Sequence, residues 1–71
     1  MIELPKRVGQ RVAFATADER FNIVKHGRDT FSLNYDRPNH CNRWGDSREI
    51  LSDVRHVLEF GRLPSPIGGR W

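Results

Sequence analysis

Cysteine is nearly absent from this 71-residue chain, in which Cys41 stands alone. A single thiol cannot form an internal disulfide, and a four-cysteine zinc site is excluded because the ligands are missing. No apolar run approaches the roughly 18 residues that a membrane helix requires. The start of the chain has no apolar stretch behind its charges, so we predict no secretory signal, no membrane partner and a cytoplasmic location.

The chain is also too short to bury a large hydrophobic core. A chain of this length buries only about 60% of the surface that its unfolded state exposes. One domain over residues 1–71 is therefore predicted, with a small core and no covalent brace. Small chains of this kind rely on tight packing or on oligomerisation, which leaves a homodimer open as an alternative.

Lysine is scarce, whereas arginine is abundant. Ten of the twelve cationic side chains are arginine, and the net charge is +3. The guanidinium group forms paired hydrogen bonds with carboxylate or phosphate and stacks on aromatic rings. Arginine is also enriched at protein–protein interfaces. The composition predicts polar recognition without choosing the partner, although a GC-rich genome would produce the same bias.

Alternation of apolar and polar residues predicts three strands, at about 7–16, 20–26 and 30–35. Gly9 interrupts the first of them and indicates a bulge or a late strand start. The apolar positions of the first strand are Val8, Val12 and Phe14. The pairing register of the second and third strands restricts the length of the loop between them.

Those two strands carry apolar side chains at odd positions, namely Phe21, Ile23, Phe31, Leu33 and Tyr35. They share one face of a sheet only if paired positions sum to an even number, because a slip by one residue would turn one set to solvent. This condition favours a loop of three residues, 27–29, over a turn of two.

A helix at about 47–60 is the strongest predicted element. Asp46 stands three residues before Glu49, which is the spacing of a capping box, and Gly61 and Pro64 end the helix. Its apolar stripe consists of Ile50, Leu51, Val54, Val57 and Leu58. Residues 36–46 are predicted as a polar connection and 62–71 as an extended tail. The expected fold is α+β: a three-stranded antiparallel sheet, a strand plus a β-hairpin, with one C-terminal helix packed on it.

Groups capable of catalysis or metal binding are few. The histidines and the thiol are His26, His40, His56 and Cys41. His40 and Cys41 are adjacent, but catalytic pairs are normally assembled from distant segments. Their spacing to His56 matches no structural zinc pattern. We predict no catalytic residues, no metal ligands and no cofactor, and therefore no enzyme.

Nucleic-acid binding is one alternative function. Cations cluster around the predicted hairpin and the connection after it: Arg20, Lys25, Arg28, Arg37 and Arg43. Aromatic rings for base stacking are interleaved with them, namely Tyr35, His40 and Trp44. Acidic residues occupy the same segments and would repel phosphates: Asp18, Glu19, Asp29, Asp36 and Asp46. A small basic nucleic-acid-binding regulator is therefore kept as the alternative.

Protein binding accounts for more of these features. Trp44 and Trp71 are large anchors beside Arg43 and Arg70, and tryptophan and arginine dominate interface hot spots. For Trp71 the alternative is that its ring, with Ile67, covers an open face of the sheet or the rim of the core. The predicted contact residues are Arg28, Arg37, Arg43, Trp44, Arg48, Arg55 and Trp71.

The layout resembles the small phage-encoded inhibitors of the anti-CRISPR type. The hairpin Phe21–Tyr35, the single capped helix Asp46–Phe60 and the lack of catalytic or metal motifs carry this resemblance. It implies a stoichiometric inhibitor or adaptor, phage- or mobile-element-derived, that occupies a surface of a host protein or ribonucleoprotein. Many inhibitors of this kind are acidic mimics of nucleic acid, and the charge of +3 departs from that pattern.

Overall fold

The protein folds as one antiparallel sheet with a helix on one side. The computed structural model describes residues 2–36 and 42–64. Its elements are β1 (Arg11–Ala15), β2 (Arg20–Gly27), β3 (Thr30–Tyr35), β4 (Asn42–Gly45) and α1 (Ser47–Phe60). The strands lie in chain order and each pairs with the next. The α+β class is confirmed, but the sheet has four strands where the sequence predicted three.

The fourth strand lies in the segment that was predicted to be a polar connection. Arg43 pairs with Leu33 and Trp44 pairs with Ser32 across the β3–β4 ladder. Neither face of β4 is simply apolar, because Arg43 faces the helix side and Trp44 faces the opposite side. Alternation between core and solvent, which reveals a half-buried strand in a sequence, is therefore missing here.

The even register predicted for β2 and β3 is confirmed, since Phe21 pairs with Tyr35 and Ile23 with Leu33. The predicted three-residue loop is wrong. Gly27 pairs with Thr30, which leaves a turn of two residues, and the register shifts between positions 25 and 27. The extra residue required by the even register sits in this bulge instead of in the loop.

The prediction that Gly9 marks a bulge or a late strand start is confirmed, and both features occur. Gly9 has φ +89°, its N–H donates to the Lys25 carbonyl, and the Lys25 N–H donates to the Gln10 carbonyl. Gly9 and Gln10 thus both lie opposite Lys25, which is the arrangement of a β-bulge, and β1 begins only at Arg11. Val8 was predicted to lie on the apolar face of the first strand, and this prediction is wrong. Val8 lies in the turn before the bulge and is exposed.

α1 spans the predicted residues and packs its apolar stripe on the sheet. Asp46 and Glu49 form the capping box, and Gly61 ends the helix in the left-handed conformation with φ +79°. The core consists of Phe21, Ile23, Phe31, Leu33, Tyr35, Ile50, Val54, Val57 and Leu63. Leu58 was expected in the stripe but is 54% exposed, whereas Asp53 is buried there. No helix in the described part of the chain is long and apolar enough to cross a membrane.

Candidate functional site

The sheet has one face that none of the described elements covers. The helix and the N-terminal residues Ile2 and Leu4 pack on the core side, where the odd-numbered residues of β2 and β3 lie. The opposite side, which we call the open face, is made by alternate residues of the four strands. From the register, these are Arg11, Ala13, Ala15, Arg20, Asn22, Val24, His26, Ser32, Asn34, Asn42 and Trp44.

Two stacked rings stand on the open face beside the β2–β3 turn. The ring centroids of His26 and Trp44 are 4.1 Å apart, and the ring planes differ by 22°. The indole is nevertheless 57% exposed. His26 lies at the bulge in β2 and Trp44 lies in β4, with β3 between them, so this pair exists only in the folded sheet. The two rings form an aromatic platform in which one ring surface of Trp44 is already stacked.

A chain of hydrogen bonds links this platform to the opposite end of the face. His26 Nε2 and the Ser32 hydroxyl share a hydrogen bond of 2.7 Å. Asn34 Nδ2 donates to Ser32 Oγ at 3.1 Å and to Asn22 Oδ1 at 2.9 Å. Asn22 Nδ2 donates to Asp36 Oδ1 at 3.2 Å. Ser32 and Asn22 are buried although no core covers them, because these bonds hold the polar side chains against the sheet.

Two cations flank the polar network on the open face. Arg11 and Arg20 are exposed, and neither has an ion-pair partner among the described residues. Ala13 and Ala15 lie between these arginines, and their small side chains project little from the sheet. Asp36 lies at the Arg20 end and accepts a hydrogen bond from the Asn22 amide, and Asp18 and Glu19 line the same concavity. The face therefore combines arginines, amides and an aromatic pair, which are groups suited to polar or π-rich ligands.

The predicted contact residues do not gather at one place. Trp44 is on the open face, and Arg28 is exposed in the turn beside it. Arg48 and Arg55 are exposed on α1, on the other side of the sheet. Arg43 faces α1, where its Nε donates to Asp53 Oδ2 at 2.8 Å. Two further predicted contacts lie outside the described residues, Arg37 and Trp71.

Two residues from the predicted nucleic-acid cluster belong to the core side. Tyr35 is buried, and its hydroxyl accepts a hydrogen bond from the Leu63 N–H at 3.1 Å. The Lys25 ammonium donates to the Lys6 carbonyl at 3.2 Å and lies 5.6 Å from the centre of the Phe31 ring. Neither side chain is available on the open face.

The polar network of the open face is not among the predicted contact residues. Asn22, His26, Ser32 and Asn34 occupy even positions between the apolar residues that define the strands. The even register requires them to share a face, so their common face is visible in the sequence. Their alternation does not by itself predict a site, because polar residues on an exposed face usually do no more than contact solvent.

The described residues contain no group of three histidine, cysteine, aspartate or glutamate side chains placed to hold a metal ion. His40 and Cys41, the residues considered with His56 as metal ligands, lie outside the described residues. The absence of an enzymatic activity likewise stays a prediction.

No protein-family model, no curated protein and no solved structure matches this chain significantly.

Proposed function

We propose that this is a small non-catalytic binding protein that attaches to a host protein or ribonucleoprotein through the open face. The resemblance in size and layout suggests a phage- or mobile-element-type inhibitor that acts by occupying its partner's surface. The observation that carries the proposal is the exposed, stacked ring of Trp44. Large aromatic side chains of this kind supply most of the binding energy at protein interfaces.

The platform is already ordered before any partner arrives. Stacking on His26 restricts the Trp44 ring, and the hydrogen bond to Ser32 restricts the His26 ring. A side chain that is free in the unbound protein loses about 0.5–1.5 kcal/mol of conformational freedom when it is fixed at an interface. Because the Trp44 ring is already held in place in the unbound fold, little of this conformational freedom remains to be lost on binding. More of the contact energy therefore contributes to affinity.

Arginines around the platform supply the polar part of the contact. Arg28 extends from the adjacent turn, and Arg11 and Arg20 flank the polar network. Carboxylates on a partner would accept paired hydrogen bonds from these groups. A net charge of +3 speeds association with an acidic surface, and this contribution weakens as salt rises.

The test compares two exposed aromatic residues that each contact a histidine ring, stacked in the case of Trp44 and tilted by 44° in the case of Phe60. Trp44 is 57% exposed on the open face, and Phe60 is 59% exposed on the helix, 4.6 Å from the His56 ring. Affinity-tagged wild type, Trp44→Ala and Phe60→Ala are each used to capture partners from bacterial host lysate, with quantification by mass spectrometry. We expect Trp44→Ala to reduce capture of the specific partner about tenfold or more, as for a hot spot.

Phe60→Ala is expected to capture the partner as the wild type does. Circular dichroism checks that both variants are folded. Equal capture by wild type and a folded Trp44→Ala variant would contradict the assignment of the open face.

A nucleic-acid-binding regulator is the second candidate, and the placement of the acidic residues favours it. Along the chain, acids alternate with arginines, but the fold withdraws several of them from the open face. Asp29 accepts the Ser47 N–H at 3.2 Å, Asp46 caps α1, and Asp53 binds Arg43. The aromatic pair and the amides that remain resemble surfaces on which single-stranded bases stack.

This candidate is tested by titration against labelled random-sequence single- and double-stranded DNA and RNA at low and moderate salt. Binding through the open face predicts an affinity that falls steeply with salt and falls about 5- to 100-fold in Trp44→Ala. Arg20→Ala should weaken binding, whereas Arg55→Ala, on the helix, should change it little. No binding to any of the four nucleic acids at low salt would exclude the regulator and leave the protein partner.

A further inference from the structure

Among the described residues β1 is an edge strand of the sheet, with β2 on its inner side and no strand on its outer side. The Lys25 N–H donates to the Gln10 carbonyl, so this pair is hydrogen bonded. Bonded and non-bonded pairs alternate along an antiparallel ladder. Val12 and Phe14 therefore direct their backbone groups to β2, and the alternate residues direct theirs outward. The outward residues are Arg11, Ala13 and Ala15.

No residue within 2–36 and 42–64 forms a backbone hydrogen bond with these outward groups. Most of the edge also lacks the usual protection. Proline, a charged side chain or a bulge normally prevents edge strands from pairing with other chains. In β1 the charge of Arg11 stands at the first residue and the glycine bulge lies before it, whereas Val12, Ala13, Phe14 and Ala15 carry no such protection.

We propose that two copies of the chain associate by antiparallel pairing of β1 with β1, centred on Ala13. In this register Ala13 faces Ala13 of the second copy, and Arg11 faces Ala15 of the second copy. The dimer thus contains three backbone-paired positions, namely Ala13 with Ala13 once and Arg11 with Ala15 twice. Each pair uses the outward backbone groups and forms two hydrogen bonds. The two four-stranded sheets then form one sheet of eight strands.

The side chains of β1 are complementary to themselves in this register. Val12 meets Phe14 of the second copy on the core side, and β-branched and aromatic residues pair favourably across strands. Phe14 is half-buried and stacks on Phe21 with ring centroids 5.3 Å apart, so the apolar core reaches this edge. The second copy would cover the part that is still exposed. On the open face the small side chain of Ala13 meets its equivalent without a clash.

The charges at the two ends of β1 also match an antiparallel copy. Arg7 and Arg11 lie at its start, and its end is followed by Asp18 and Glu19, which outnumber the one cation there, Arg20 opposite Ala15. Antiparallel pairing brings the basic start of each strand toward the acidic end of the other, which favours this orientation. A peptide of unrelated sequence would not carry both this charge order and the Val12–Phe14 match.

Such a dimer has a consequence for binding. The two-fold axis stands perpendicular to the sheet, so both open faces are on the same side. Seven strand spacings of about 4.8 Å separate the two Trp44 positions, roughly 34 Å in all. A partner with two sites at this spacing would be held by both copies, and a second contact raises avidity without any new kind of interaction.

The test is sedimentation of the full-length chain from micromolar to millimolar concentration. We expect a concentration-dependent dimer in the wild type. Ala13→Pro removes an outward N–H and leaves the β1–β2 ladder intact, so it should yield a folded monomer. A wild type that stays monomeric at the highest concentration would overturn the proposal, as would an undiminished dimer in Ala13→Pro. The Trp44→Ala capture result is independent of either outcome.

A pair of charge variants tests the register and avoids any change to the backbone. Ala15→Lys places a cation opposite Arg11 of the second copy, and Ala15→Glu places an anion there. Because each dimer contains this contact twice, the dissociation constant should rise with lysine and fall with glutamate, by about 2- to 30-fold. Shifts in the same direction, or none, would contradict the Arg11–Ala15 pairing.

Discussion

Arg43 and Asp53 form an ion pair between the sheet and α1. Their Nε and Oδ2 atoms are 2.8 Å apart, with the Arg43 side chain 31% and the Asp53 side chain 11% exposed. Asp53 is thus a carboxylate in the buried stripe of the helix. Removal of its partner would leave that charge without compensation in a poorly solvated position. Arg43 accordingly contributes to the attachment of β4 to the helix, whatever else it contacts.

We expect Arg43→Ala to lower the free energy of unfolding by about 1–3 kcal/mol, because Asp53 loses a charged hydrogen bond. Urea denaturation followed by circular dichroism measures the change. Arg55→Ala, at an exposed position of the same helix, should stay within about 0.5 kcal/mol of the wild type. Equal stability of the Arg43 and Arg55 variants would show that the ion pair contributes nothing.

The contact between β4 and α1 also requires glycine at position 45. A Cβ atom at this position would lie 2.9 Å from the Glu49 Cβ, closer than real side chains approach. Glu49 cannot move away freely, because its carboxylate accepts the Asp46 N–H in the capping box. Any side chain at Gly45 therefore competes with the start of the helix.

Gly45→Ala is expected to cost about 1–3 kcal/mol of stability through this overlap. Gly27→Ala is the matched control, since a Cβ there would meet Thr30 Oγ1 at 3.5 Å, an ordinary contact. Thermal unfolding of the two variants side by side distinguishes local overlap from a general cost of replacing glycine in a strand. A similar loss in both would contradict the steric explanation.

At the scale of elements, α1 is the part that local sequence specifies best. The Asp46 carboxylate accepts the Glu49 N–H at 2.9 Å, and Gly61 supplies the left-handed residue after the last turn. Both signals act within a few residues of the chain, so they can be recognised without knowledge of the fold. β4 is the opposite case, because its existence depends on pairing with β3 and on contacts that are distant in sequence.

Replacement of the helix cap tests this local specification. Asp46→Ala removes the acceptor for the Glu49 N–H and should lower the free energy of unfolding by about 1 kcal/mol. Asp46→Asn retains an acceptor oxygen and should lose much less. Chemical denaturation of both variants gives the comparison, and an equal loss in the two would mean that the charge matters more than the hydrogen bond.

For the molecule as a whole, stability depends on a few large contacts around one small core. Leu63 follows the helix, is only 2% exposed and joins that core, while its N–H donates to the Tyr35 hydroxyl. The chain after Gly61 thus returns to the sheet and covers the end of the core beyond α1.

We expect Leu63→Ala to destabilise the protein by about 2–4 kcal/mol, since it removes a buried side chain from a core with little reserve. Leu58→Ala is the control, because Leu58 is 54% exposed on the helix and should change stability by less than about 0.5 kcal/mol. Guanidinium denaturation of both variants is the measurement. Equal effects would mean that the segment after the helix is dispensable to the core.

The sequence by itself determined the helix with its two caps, the even register of β2 and β3, and the irregularity at Gly9. These features follow from local hydrogen bonds and from the period of apolar residues. Only the tertiary structure decided the placement of polar residues. Arg43 and Trp44 are neighbours in the chain, but one binds Asp53 beneath the sheet and the other stacks on His26 above it. Patterns along a chain do not encode such partners, because a polar side chain is compatible with solvent, with an ion pair or with a binding surface until the fold brings the other group into contact.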